Sequence, residues 1–298
     1  MEKDVSIIIV NYKTKDLTID CLKSIYEKTN DLNFDVFVID NNSQDGSVEA
    51  IRSAFPQINL IENSKNSGFG SANNIGIRQS DAKYVFLLNS DTILVNNAVK
   101  ILFDFMQENP DIGACGGNLY SKDMKNMHSY GTFLTLKRQI LKTFFLKLFF
   151  PKERKAINDK GRNEENLKKQ VEFITGADLM IRKEALDKTG LFDERIFMYS
   201  EESELQFRIT KAGYKIFINP EAKIIHLHDQ SPKSDTMYFE FLKSKYLMLK
   251  FCYGTEKNLA LIKLLILLSN WHKIIKHKKS IIKLFDFILN DKPEKKNV

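Results

Sequence analysis

A parallel α/β sheet is the fold class that residues 5–100 predict, and three features predict it. Short β-branched runs alternate with stretches of helical period, their spacing is that of strand–helix–strand units, and the apolar runs end in polar, Asn-rich residues. Sheets of this kind bind ligands beyond the carboxyl ends of their strands. The residues directly after each strand are therefore the first candidates for a site.

In chain order, "VSIIIVNY" reads as a buried strand by its β-branched content and length. "KTKDLTIDCLKSIYEK" follows, with Leu17, Cys21, Leu22 and Ile25 at helical spacing. "FDVFVID" is a second strand. "NNSQDGSVEAIRSAF" is a polar turn opening a helix, with Asp45 or Ser47 as its expected cap. "INLIEN" predicts a third strand, "GSANNIGIRQS" a helix, "YVFLLNS" a fourth strand, and "NNAVKILFDFMQENP" a helix closed by Pro110. Past residue 110 the alternation loosens. "IGACGGNLY" reads as a strand with a glycine kink, and residues 134–169 as basic, partly amphipathic and partly loop. From Val171 to His228 order returns: strand, short helix, turn, helix, then two short strands. Beyond 235 the pattern is helical.

At 298 residues the chain is long enough to bury a substantial core unaided. Cys21, Cys115 and Cys252 lie far apart, in no CxxC pair and with no nearby His, which argues against a zinc module or a disulfide framework and fits a reducing compartment. Neither a signal peptide nor an 18-residue apolar stretch is visible. The net charge of +7 is uneven, with the excess of Lys and Arg lying around 137–169 and 243–296.

Familiar nucleotide motifs are absent. Gly68, Gly70 and Gly76 do not have GxGxxG spacing and follow the third strand, and no GxxxxGK[ST], GxSxG or HExxH occurs. What remains is carboxylates and one His. The strand ends are Asn11 and Tyr12, Asp40 to Asn42, Asn63 to Asn66, and Asn89 to Asp91. Each alone has an ordinary explanation as a turn, whereas four on one rim point to a site. Asp91 with His226 across a cleft has the chemistry to hold a hard divalent cation that keeps its other positions for phosphate oxygens and water. A separate carboxylate is then free to act as a base. Glu201, Glu202 and Glu204 open a helix, where the helix dipole by itself favours acids.

Five ordered blocks, "VSIIIVNYKT", "VIDNNSQDGS", "NSGFGSANNIGI", "FLLNSDTIL" and "ITGADLMIRKEALDKTGLFDERIFMYSEESELQFRITKAGYKIFINPEAKIIH", resemble a family 2 glycosyltransferase of the GT-A fold. Within it they are similar to the bacterial rhamnosyltransferase-like members that build surface polysaccharides. The resemblance covers about residues 5–230 and is weakest between about 120 and 170. It implies a Rossmann-like, mostly parallel central sheet with flanking helices, divided into a nucleotide-binding half (1–120) and an acceptor-side half (121–230), with 231–298 as a basic helical extension.

The resemblance implies roles residue by residue. Val10, Asn11 and Tyr12 would line the base and ribose of a nucleoside-diphosphate sugar, and Asp40 would accept from a pyrimidine N3–H. Asn42, Asn66, Gly70 and Asn73 would border the nucleotide. Asn89-Ser90-Asp91 matches a DxD-like motif, so Asp91 would ligate Mg²⁺ or Mn²⁺ and His226 would complete that metal site. Thr175, Gly176 and Ala177, with Asp193 and Glu194, match blocks beside the donor sugar and acceptor. "SEESEL" stands where Glu-Asp-x-Asp-Leu is usual, which puts Glu202 at the catalytic base with Glu201 before it. Two departures stand out, Glu202 and Glu204 each replacing an Asp and adding a methylene.

The implied activity is inverting transfer of a sugar, from dTDP-rhamnose or a UDP-sugar, to a hydroxyl of a glycan or polyprenyl-diphosphate-linked acceptor. A sugar nucleotidyltransferase would want a Gly- and Arg-rich loop after the first strand, and "NYKTKDL" is not one. A non-catalytic scaffold of the same fold is the other alternative. The greasy basic stretches "LTLKRQILKTFFLKLFFPKERK" and "NLALIKLLILLSNWHKIIKHKKSIIKLFDFIL", the latter with Lys263 at its centre and Trp271 near a boundary, suit a membrane surface on the cytoplasmic side. Their Phe and Leu come in runs instead of spaced stacking platforms, which does not suit nucleic acid. Oligomeric state is not legible.

Overall fold

The computed structural model describes residues 3–143, 149–227, 235–270 and 274–291. Strands β1 (Val5–Asn11), β2 (Phe34–Asp40), β3 (Asn59–Glu62) and β4 (Tyr84–Asn89) are connected by helices α1 (Lys15–Lys28), α2 (Ser47–Ala54) and α3 (Phe69–Gln79). β1 pairs in parallel with β2 on one side and β4 on the other, and β2 pairs in parallel with β3. A short β5 (Thr92–Leu94), α4 (Ala98–Glu108) and β6 (Ile112–Tyr120) follow. Then come β7 (Tyr130–Gly131), α5 (Leu136–Thr143), α6 (Pro151–Asn158), β8 (Lys169–Gln170), β9 (Phe173–Ile174), β10 (Asp178–Arg182), α7 (Lys183–Thr189), α8 (Glu201–Lys211) and β11 (Lys215–His226). The main sheet runs β3-β2-β1-β4-β10-β6-β11-β5, with β8 beside β11 and a small separate β7-β9 pair.

The sheet is buried on both faces, which is why β1 reads as a continuous apolar run with no alternation. Val5, Ile7 and Ile9 pack with Cys21, Leu22 and Ile25 of α1, Ile51 of α2 and Leu102 of α4. Ile8 faces the other way, against Ala72 and Ile77 of α3, Leu186 of α7 and Leu205 of α8. Each isoleucine fully buried in this way contributes about 1.5–3 kcal/mol of transfer free energy.

The strand directions build the rim. β10 is antiparallel to both β4 and β6, so it enters the sheet at the edge where β4 leaves it. β11 is parallel to β6 and therefore ends, at His226, on that same edge. β5 is antiparallel to β11 with Thr92 opposite His226, which puts His226 beside Asp91. The mostly parallel expectation holds for β3-β2-β1-β4, and the remaining half is mixed.

Two local expectations change. The cap of α2 is neither Asp45 nor Ser47 but Gly46 at φ 80°, while the Asp45 carboxylate accepts from the Ser47 N–H at 3.1 Å. The two short strands before His226 are one strand, β11. Its register jumps from Ile218 opposite Gly116 to Lys223 opposite Asn118, so Asn219–Ala222 bulge out and Pro220, which has no N–H to donate, is accommodated there.

Helices α9 (Asp235–Tyr253), α10 (Glu256–Asn270) and α11 (Ile274–Asn290) form the helical C-terminal part. Tyr246, Leu249, Ile262, Ile266, Leu284 and Ile288 make their shared core, which also takes in Ile196 from the loop before α8. α9 packs on α8, and α10 on α5. Trp271, which the sequence places near a boundary, lies outside the described residues.

Gly117 sits where β6 passes the bulge: a Cβ there would lie 2.5 Å from the carbonyl oxygen of Ala222. Backbone cannot yield as a side-chain tip does, so Gly117→Ala is expected to destabilise the fold by about 1–3 kcal/mol. Denaturant titration followed by circular dichroism checks this, and an unchanged midpoint would contradict the close approach.

Candidate active site

The carboxyl edge of the parallel half is held by a buried network of short polar side chains. Asn11, at the end of β1, donates from Nδ2 to Asp40 Oδ1 at 2.6 Å and to Ser43 Oγ at 3.0 Å. Its Oδ1 accepts from the hydroxyls of Thr14 and Thr18 at 2.9 and 2.8 Å. Asp40 Oδ2 accepts from the Ser43 N–H at 3.0 Å, and the residue is only 3% exposed. Asp40 thus anchors the turn after β2, with one internal donor on each oxygen. Asn41 cross-links the next loop: its Oδ1 accepts from Asn63 and from the Ser67 N–H, and its Nδ2 donates to Asn66 Oδ1 at 2.8 Å. Turn and rim are therefore not competing explanations for these Asn residues, since the same side chains that fold the loops build the edge.

Tyr12 projects from this edge, 42% exposed, and Val10 is half-buried between Ile39 and Asn89. Asn42 adopts φ 63° and points toward Gln44. Gly70 lets α3 approach Phe192, whose Cβ would stand 3.0 Å from an added methyl. Asn73 does not open onto the rim: it is buried within α3 and donates to the Phe69 carbonyl at 3.0 Å. Its neighbour Asn74, which the sequence does not single out, is the one that joins two parts of the structure. It donates to the Phe192 carbonyl at 2.9 Å and accepts from the Phe192 N–H at 3.0 Å, tying α3 to the loop that leads to α8.

At the end of β4, Ser90 shares a hydrogen bond with Thr14 at 2.9 Å. Asp91 Oδ1 and His226 Nε2 are 3.2 Å apart, both largely buried, and the Asn89 amide nitrogen is 3.4 Å from the same imidazole nitrogen. The backbone closes the pair, the Leu227 N–H donating to the Asp91 carbonyl at 2.9 Å. Among the described residues no group of three His, Cys, Asp or Glu clusters tightly enough to enclose a metal. One carboxylate and one imidazole at this separation do fit a hard cation that draws its remaining ligands from phosphate oxygens and water.

Thr175, Gly176 and Ala177 lead into β10 and form the bridge to the second half. The Ala177 carbonyl accepts from the Asn89 N–H at 3.0 Å. On the other side, a Cβ on Gly176 would lie 3.8 Å from Glu202 Cβ and 3.2 Å from the Phe69 ring. The DxD-like strand end and the Glu202 side chain are thus separated by two residues of backbone.

The loop to α8 is clamped from three directions. Asn74 holds Phe192, the Phe69 N–H bonds the Phe197 carbonyl at 3.0 Å, and Ser244 of α9 donates to the Met198 carbonyl at 2.7 Å. The clamp imposes left-handed backbone on two consecutive non-glycine residues, Tyr199 (φ 69°) and Ser200 (φ 68°), immediately before Glu201. Each such position costs of order 1–3 kcal/mol and clusters where geometry matters more than stability. No composition signal announces it, because neither residue is Gly or Asn.

The three glutamates of α8 separate in role. Glu204 is buried and forms a bidentate pair with Arg208 at 2.7 and 2.8 Å, whose guanidinium also binds the Thr189 and Leu191 carbonyls. It holds the α7–α8 turn and is not available as a base. Glu201 is buried, its Oε2 has no hydrogen-bond partner, and burial followed by the neighbouring Glu202 charge pushes its carboxyl well above the usual range. Glu202 is half-buried, burial pushes its carboxyl up, and it faces a cleft of about 230 Å³. That cleft is lined by Phe133, Arg138, Lys142 and Ile157 on one side and by Ser200, Ser203, Lys245 and Met248 on the other. Asp193 is paired with Arg195 at 2.6 Å, and Glu194 with Arg78 at 2.8 Å and Asn74 at 3.1 Å, so both acids brace the clamp.

A raised carboxyl pKa leaves the folded state relatively favoured below the ordinary glutamate value of 4.5 and erodes that advantage as pH rises toward the folded value. Glu201→Gln removes the titration. It is expected to melt higher than the unaltered protein at neutral pH, with the gap closing below about pH 4.5; melting curves across that range decide it, and a pH-independent gap would contradict a Glu201 carboxyl raised by burial.

The family model described as Glycosyl transferase family 2 matches residues 6–190. An N-acetylglucosaminyl-diphospho-decaprenol L-rhamnosyltransferase of Mycobacterium tuberculosis is 28% identical over 202 residues, covering 64% of this chain and 66% of that relative. The chain therefore spans just under two thirds of that relative's length. The glycosyltransferase GlyG of Streptococcus pneumoniae is 26% identical over 133 residues, 44% of each chain. Among solved structures, GalNAc-T7 with UDP, GalNAc and Mn²⁺ superposes with a TM-score of 0.63 at 14% identity, covering 97% of this chain and 56% of that one. The mannosyltransferase PcManGT from Pyrobaculum calidifontis, in complex with GDP-Man and Mn²⁺, has a TM-score of 0.57 at 15% identity and covers 98% and 88%.

Proposed function

This chain belongs to glycosyl transferase family 2 and is a glycosyltransferase of the GT-A fold, and from that premise we propose that it is inverting and metal-dependent. In this reading it moves a sugar from a nucleoside-diphosphate sugar, dTDP-rhamnose or a UDP-sugar, to a hydroxyl of a glycan or lipid-linked glycan during surface polysaccharide synthesis. The observation that carries the proposal is the Gly176–Ala177 bridge, which bonds the Asn89 strand end on one side and on the other runs so near Glu202 that a Cβ on Gly176 would meet its Cβ at 3.8 Å. The lipid-linked acceptor is supported by the name of the mycobacterial relative, and the metal by the Mn²⁺ in both structural neighbours together with the Asp91–His226 pair.

The donor would lie along the rim, its base and ribose against Val10, Asn11 and Tyr12 and its diphosphate at Asn89, Ser90 and Asp91. Asp40, Asn42, Asn66 and Gly70 would shape the nucleotide side. A pyrimidine N3–H would take a remaining lone pair of Asp40, while Asn73 supports α3 from inside. Asp91 and His226 would hold Mg²⁺ or Mn²⁺, which when bound offsets the charge developing on the leaving diphosphate. Thr175, Gly176 and Ala177 would border the donor sugar, with Asp193 and Glu194 bracing the acceptor-side loop.

Glu202 would take the proton of the acceptor hydroxyl as its oxygen bonds to the anomeric carbon and the diphosphate leaves from the opposite face. Burial favours this task, since a carboxylate raised above its ordinary value is a better proton acceptor. Burial, and then the neighbouring Glu202 charge, push the Glu201 carboxyl well above its ordinary value, and Glu202 is the member of the pair that faces the cleft. The extra methylene of each Glu is absorbed differently: Glu204 uses it to reach Arg208, and Glu202 to reach into the cleft. We carry residues 1–230 as the catalytic domain and 231–298 as an extension of its acceptor side. Among the described residues no helix is long and apolar enough to cross a membrane.

A panel of nucleotide sugars with Mg²⁺ or Mn²⁺ and lipid extract, scored for nucleoside diphosphate release, tests the donor class. No release from any donor would overturn the assignment. With the active donor, Glu202→Gln is expected to lower kcat by about 10²–10⁴-fold with donor affinity retained, and unchanged turnover would remove Glu202 as the base. EDTA, like Asp91→Asn, is expected to abolish turnover and weaken donor binding measured by calorimetry; full activity after chelation would remove the metal role.

A further inference from the structure

We propose that Phe149, Phe150 and the first turns of α6 form a lipid-docking surface, which seats the two rings at headgroup depth in an anionic membrane and brings a wall of the Glu202 cleft near the bilayer. The proposal rests on reading that cleft as the acceptor site.

Phe149 is 76% exposed, more than any other large apolar side chain among the described residues, and its neighbour Phe150 is 43% exposed. Leaving two adjacent aromatic rings in water has no folding benefit, and rings of this kind settle at the boundary between headgroups and acyl chains. The charge around them is one-sided. Among the described residues, 136–143 and 149–155 carry six Lys or Arg and a single acid, Glu153, which is already held by Lys137 and Arg138 at 3.0 Å each. Lys152, Arg154 and Lys155 are exposed in the first turns after the two rings. Cations next to exposed aromatics match the negative surface of an anionic leaflet.

Helices α5 and α6 build a wall of the cleft. Arg138 and Lys142 of α5 and Ile157 of α6 line the space that Glu202 faces. Seating Phe149 and Phe150 on lipid therefore places the cleft wall within a helix length of the membrane. α10, packed on α5, adds an apolar edge with Leu264 and Leu268 exposed one turn apart. Lys263, which the sequence places as a charge in the middle of that apolar helix, is turned inward and donates to the Asp291 carbonyl at 2.7 Å. The outward face of α10 is accordingly more apolar than its composition suggests. A second copy of the chain is the less suitable occupant, because symmetric pairing would set this cationic cluster against itself, and Lys is depleted at protein interfaces.

Co-sedimentation of the full chain with phosphatidylcholine vesicles, with and without phosphatidylglycerol, tests the surface directly. Binding to the anionic vesicles that falls with added salt is expected, and Phe149→Ser/Phe150→Ser should weaken it by about tenfold or more. Circular dichroism melting shows whether that variant is folded, and Phe149→Ser alone, at a side chain that packs on little, serves if it is not. Equal binding to neutral and anionic vesicles, or unchanged binding by a folded variant, would overturn the proposal. So would a dimer that the double substitution dissolves without any vesicle binding. The assay contains neither donor nor acceptor, so its outcome is separate from whether the protein transfers a sugar.

Discussion

The structure turns on the insertion of one antiparallel strand, β10, between β4 and β6. Without it the parallel half would present a nucleotide-sized rim and nothing opposite. With it, Thr175–Ala177 arrive at the edge where β4 ends, and α7 and α8 are carried round to face that edge. The insertion is secured from inside the sheet by Asp178, which is wholly buried and accepts from the Gly117 N–H at 2.7 Å. Burial pushes the Asp178 carboxyl well above its ordinary value, because a charge is costly in so dry a place, and the Gly117 N–H partly offsets that push. Gly116 and Gly117 are the complement: added methyls would meet Ile174 and the Asp178 carbonyl, or the Ala222 carbonyl, at under 3 Å.

From that insertion the site follows as a division of labour between rigid and strained parts. The rim of the parallel half is a cross-linked edge in which Asn11, Asp40, Ser43 and Asn41 are tied together, so it is preorganised. The opposite side is held by a clamp on the 192–200 loop, and the clamp's strain is concentrated at Tyr199 and Ser200. Helix α8 starts directly after them, so the strained turn aims Glu202 into the cleft and Glu201 into the core. The neighbouring carboxyls thereby meet different surroundings, Glu201 buried with one oxygen unpartnered and Glu202 facing the cleft.

The C-terminal helices serve the same end. They cover the loop through Ile196 and Ser244, and α9 supplies Lys245 and Met248 to the cleft. Their amphipathic sequence is therefore explained twice over, by an inner face that packs on the loop and lines the cleft and an outer face with exposed Leu264 and Leu268.

Much of this was legible in the sequence, because it depends on local pattern. The period of apolar residues marked the strands and helices of the first hundred positions, and the polar strand ends marked the rim that Asn11, Asp40 and Asn89–Asp91 occupy. The motif blocks in order carried the family. What the sequence could not decide depends on partners far away in the chain. Asn73 and Asn74 are chemically identical, and only the direction of α3 makes one internal and the other a clamp. Glu201, Glu202 and Glu204 fall on one helix turn, and only Arg208, the core and the cleft tell them apart. The separation of Asp91 and His226 is set by the pairing of Thr92 with His226 in a three-residue strand too short to show a period. Sequence carries periodicity and chemistry; which face of an element meets which neighbour is settled by packing, and in this protein the site lies on those choices.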